Sequence, residues 1–192
     1  MGDSLIAQIS YEKAYRHSRM KAARWILDHP ETMPELLTLC LDPEQGDLAD
    51  KGCWALEFVA KEEIGLFYPH MDQFCAGLER ITKDQSLRPL AHICELLVLK
   101  AYKNNDSMAQ QALTPSCKEA IVNNCFDWLI TQQKVACQVR AMTCLYYLGT
   151  EQDWIHPELI GILKDKMHLG SPGYQARGRK TLQQIDRFRT KS

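Results

Sequence analysis

The chain has 192 residues, of which 45% are apolar and 24% charged, enough to bury a sizeable core as one globular domain or one short repeat array. The formal net charge of -1 argues against a general nucleic-acid or membrane-surface binder, since both need a large positive field to collect phosphates. Charge is nevertheless uneven: residues 42–95 hold eleven Asp/Glu against five Lys/Arg, and residues 161–192 hold eight Lys/Arg against two Asp/Glu.

In chain order, MGDSLIAQISYEK has neither a basic leader nor an apolar run of signal length, and no later apolar run approaches the roughly 20 residues needed to span a bilayer. MKAARWIL carries apolar residues at spacings of three and four and predicts a helix; HPETMPELLTLCL predicts a second, opened by proline. KGCWALEFV and YPHMDQFCAGLERI repeat that pairing, and LAHICELLVL gives the next long helix. KNNDSMAQQALT, residues 103–114, reads as an insertion, because helical patterning resumes after it in TPSCKEAIVNNCFDWLI and VRAMTCLYYL. HPELIGILKDKM and YQARGRKTLQQIDRFR complete about nine or ten helices of 10 to 17 residues. Proline in a first helical turn removes a donor that had no partner, so His156 and Glu158 in DWIHPELIGIL are read as the start of a helix rather than as a catalytic pair.

The eight cysteines contain no CxxC pair and lie mostly inside apolar runs, which predicts buried free thiols and a reducing, cytoplasmic setting.

Placing Met20, Ala49, Leu87, Gln138 and Gln175 at a common origin aligns five helices. Three places on, the residue is small in Ala23, Gly52, Ala141 and Gly178, with Leu90 the exception; seven places on stand Leu27, Leu56, Cys94, Leu145 and Leu182. Trp25, Trp54, His92, Thr143 and Lys180 form a column at five, and Asp28, Glu57, Glu95, Tyr146 and Gln183 a polar column at eight. A helix pair cannot bury both apolar faces alone, whereas stacked pairs can, so the expected fold is all-α: a right-handed α-solenoid of about five helix pairs spanning residues 1–192 as one domain.

RMKAARWIL, RPLAHICELL and QVRAMTCLYYLG resemble HEAT and related armadillo-type repeats from about residue 18 to residue 189. CWALEFV, LRPLAHICE, CFDWLI, WIHPEL and YQARGRK are further similar to short bacterial HEAT-like proteins that carry the label adenylosuccinate lyase. Adenylosuccinate lyases proper are longer helical enzymes with a mobile loop of the form SSxMPxKxN, and GSPGYQARGRK has neither its paired serines nor its Met-Pro.

The resemblance implies a non-catalytic scaffold that holds a protein partner on its concave face. The columns supply a candidate groove of Trp54, Glu57, Arg88, His92 and Glu95, in which Glu57→Ala and His92→Ala would weaken capture while leaving the fold intact. Arg177, Arg179 and Lys180 form a candidate basic face on the last helix. The alternative is an enzyme, either a divergent lyase or a HEAT-like DNA alkylation-repair glycosylase; the latter needs a basic concave face, which the middle of this chain lacks. His92 and Glu95 sit three apart as metal ligands could, but no third ligand falls at matching spacing. GxGxxG, GxxxxGK[ST], GxSxG and HExxH are all missing, so no cofactor, metal or catalytic residue is expected, and nucleic acid and membrane are not the expected partners.

Overall fold

The computed structural model describes residues 4–191. Eleven α-helices and no strand occur among the described residues: α1 (Leu5–Ile9), α2 (Arg16–Asp28), α3 (Met33–Cys40), α4 (Asp47–Glu62), α5 (Met71–Gly77), α6 (Asp84–Val98), α7 (Ser107–Ala112), α8 (Pro115–Ile130), α9 (Val135–Leu148), α10 (Ile155–Lys166) and α11 (Pro172–Lys191). The all-helical expectation is met, but the helices range from 5 to 20 residues, wider than the 10 to 17 the patterning suggested. Four helices, α1, α3, α5 and α7, fall below that range and α11 lies above it. α1 is a single turn capped by the Ser4 hydroxyl, which accepts from the Ala7 amide. α5 is preceded by a 3-10 stretch, Ile64–His70, so Pro69 sits inside that stretch and does not open the helix. α7 arises within the 103–114 segment, where α6 first loosens into a π turn over Leu99–Lys103 and Asp106 then caps a new helix through the Ala109 amide. α7 packs back against both the 64–70 stretch and the π turn, burying Ala109 and Leu113.

The five aligned helices form a row: α2 packs on α4, α4 on α6, α6 on α9, and α9 on α11. The second set lies against the row, α3 on α4, α8 on α9 and α10 on α9, and its members also touch in turn from α3 through α5 and α8 to α10. Leu56, Cys94 and Leu145 are fully buried between neighbours, while Leu27 and Leu182, on the outermost helices of the row, are only partly covered, each helix having a single row neighbour.

The small column has a packing cause. A Cβ added at Gly52 would lie 2.9 Å from Cys40 Sγ and 3.0 Å from Leu39, and one at Gly178 would lie 2.9 Å from Met167 Sδ. Small residues therefore stand where a row helix meets its companion most closely, and a methyl group there would force the pair apart.

All eight cysteines are buried free thiols; the Cys53 thiol donates to the Cys40 carbonyl at 3.6 Å. Burial pushes the Cys40, Cys94 and Cys125 thiols well above their ordinary range, because a thiolate would be stripped of water there. No described helix is long and apolar enough to cross a membrane.

Candidate functional site

Trp54 and Glu57 lie on α4, and Arg88, His92 and Glu95 on α6, so the sequence columns do bring these five residues onto adjacent helices of the row. Each has a partner within the chain. His92 Nδ1 donates to Glu57 Oε1 at 2.5 Å, and Lys61 Nζ reaches the same oxygen at 3.0 Å. Burial alone would push the Glu57 carboxyl upward, but hydrogen bonds from His92 and Lys61, with the ammonium charge, outweigh it and hold the group down at about 2. Glu95 accepts from Arg140 Nη1 on α9 at 2.8 Å. Arg88 pairs with Asp84 one turn earlier at 3.4 Å and is exposed. His92 and Glu95 thus turn to different partners, and no group of three or more potential metal ligands occurs among the described residues.

Trp54 has a role that its column did not suggest. Pro89 lies inside α6 and has no amide hydrogen, so the carbonyl of Gln85, four residues earlier, receives no helical hydrogen bond. The Trp54 indole Nε1–H donates to that carbonyl at 3.0 Å, which repairs the gap from the neighbouring helix. The Arg19 guanidinium covers the same indole at 4.3 Å from the ring centre, adding a cation–π contact from α2. Below Trp54, buried Asp50 accepts from Ser86 at 2.6 Å and pairs with Lys83 at 2.5 Å. The Asp50 oxygens are satisfied by both, so its burial carries no unpaired charge.

Side-chain links therefore join every neighbouring pair in the row: Arg19 to Trp54, Glu57 to His92, Glu95 to Arg140, and Arg177 Nη1 to Thr143 Oγ1 at 2.9 Å. Of the basic residues, Arg177 is half-buried in this last link, whereas Arg179 and Lys180 are exposed. Arg140 completes the third link but stood outside the columns; its signal was its position two past the origin, shared with Arg177.

No family model matches the chain, and no curated protein or solved structure matches it.

His156 is buried in the core near the C-terminus of α9, with Nε2 at 2.8 Å from the Tyr146 carbonyl and its ring stacked on Tyr146. Gly149 lies directly beneath the ring, where any Cβ would collide with it. His156 thus ties α10 to α9, whereas Glu158 is exposed. DWIHPELIGIL opens α10, with Pro157 in its first turn.

Two grooves flank the row's interior. One, of about 440 Å³, separates the first turns of α9 and α11; the other, of about 400 Å³, lies at the C-terminal ends of α4 and α6 among Lys61, Glu63, Leu96 and Lys103.

Proposed function

We propose that the chain is a HEAT-like, right-handed α-solenoid that acts without catalysis, as a scaffold holding a protein segment along the face of the row α2–α4–α6–α9–α11. The observation that carries this reading is the helix-by-helix packing of the row, with companion helices against it and lateral polar links between successive row helices. Such a row presents a long, regular surface whose side chains are fixed in place by their neighbours, and preorganised side chains bind a segment with less loss of freedom. Trp54, Glu57, Arg88, His92 and Glu95 form the central part of that surface, with exposed Arg88 the charge most open to a partner.

A photo-crosslinking side chain at Arg88, and a second at exposed Asn123 on α8, separate the row face from its opposite side in cells of the source organism. The expected result is a discrete protein adduct at position 88 and none at 123. Equal crosslinking at both positions, or cleavage of adenylosuccinate by the purified protein at roughly 1 per second or faster, overturns the scaffold reading.

A further inference from the structure

We propose that the groove between the first turns of α9 and α11 seats an apolar side chain of a bound protein segment, while Arg177 and Lys180 hold an adjacent carboxylate of that segment. This deepens the scaffold reading and rests on it.

The N-terminal ends of the row helices differ sharply. Between the N-terminal halves of α4 and α6 the space shrinks to about 50 Å³, because Asp50, Ser86 and Lys83 bridge it. In the column alignment Val139 of α9 stands where α4 has Asp50, and no such bridge forms; about 440 Å³ stays open. Its walls are Val135, Ala136 and Val139 on one side and Ala176 on the other, with Arg177 and Lys180 at the edge. Val135 is 39% exposed, a β-branched side chain left to water at the start of a helix.

Charge points the same way. No carboxylate among the described residues lines the groove, and neither α9 nor α11 has an acidic residue in its first turn. Among the described residues Arg177 donates to a neutral threonine hydroxyl, and neither it nor Lys180 has a carboxylate partner. The groove at the ends of α4 and α6 is a poorer candidate, since Lys61 and Lys100 there are already engaged with Glu57 and Asp106. Aliphatic walls with a guanidinium and an ammonium at the edge match an apolar residue next to Asp or Glu. They do not match nucleic acid, because no aromatic ring among the described residues lines the groove on which a base could stack.

The test is selection from a random dodecapeptide display library on the whole protein, followed by fluorescence polarisation with the enriched peptides. Enriched sequences should place Leu, Ile, Val or Phe beside Asp or Glu, and their affinity should fall about tenfold or more in both Lys180→Glu and Ala176→Trp. Both positions are exposed, so both variants should keep the parent thermal midpoint. If enriched peptides bind these variants as well as the parent but are lost in Arg88→Glu, this groove is wrong and the scaffold reading stands. Failure to enrich any peptide, or tighter binding of an oligothymidine probe than of any peptide, overturns both.

Discussion

Glu57 shows how a residue that reads as a ligand group in sequence becomes a tie in three dimensions. Set in CWALEFVA, it must find a partner or face water, and it finds two: Lys61 on its own helix and His92 on the next. Lys61 was visible from the i,i+4 spacing. His92 was not, because nothing in a one-dimensional period says which side chains of two helices will meet across 35 residues. The ties change the expectation for substitution. Glu57→Ala should lose about 1–3 kcal/mol in chemical denaturation, because it strands a half-buried imidazole as well as removing a bond. The carboxyl is held at about 2 in the folded chain, below its unfolded value of about 4.3, so its stabilisation is complete above about pH 4.5. It drains away as pH falls from there toward 2. Glu57→Gln should therefore show a shallower loss of stability between about pH 5 and pH 3 than the parent protein; parallel pH profiles would mean that the tie does not exist in solution.

At the level of the helix, α6 carries a defect and α4 supplies its repair. The proline that interrupts α6 leaves one carbonyl without an amide, and Trp54 is placed by the repeat register to reach it. The register itself was legible in the sequence, as were the small column and the five row helices, because each rests on a spacing within one helix. The repair was not legible: it requires knowing that Gln85 and Trp54 face one another. Trp54→Phe should cost about 1 kcal/mol by removing the donor while keeping most of the ring. The same change in a Pro89→Ala background should cost less, since an alanine at that position would supply its own amide to the Gln85 carbonyl. Equal costs in both backgrounds, measured as a double-mutant cycle, would separate the tryptophan from the proline. The short helices escaped the periodic reading for a simpler reason: α1 and α7 have fewer than two turns, too few to establish a period.

Across the whole molecule the cysteines were read correctly as core residues, since most lie within apolar runs and all eight are buried. In native protein an aromatic disulfide reagent should find almost no fast-reacting thiol, and in denaturant it should titrate all eight. Cys117 is the exception in chemistry though not in exposure. Its thiol is lowered to about 7, chiefly by the hydrogen bond from Cys75 and also by Thr114, while the Cys75 thiol is pushed far upward. Cys117 should be the first to react whenever the α5–α8 contact opens, with a rate that rises as pH passes through about 7. A native protein in which several thiols react at once would contradict the burial.

The four links along the row are chemically unlike: a guanidinium on an indole, an imidazole on a carboxylate, a guanidinium on a carboxylate, and a guanidinium on a hydroxyl. A structure hinged in this way has joints with separate sensitivities. Acid slackens the α4–α6 joint by neutralising Glu57, salt weakens the α6–α9 joint by screening its ion pair, and neither acts directly on the neutral acceptor between α9 and α11. Bending stiffness would then vary along the molecule and respond to solution conditions at the two carboxylate joints, the α9–α11 end keeping its compliance while the middle yields.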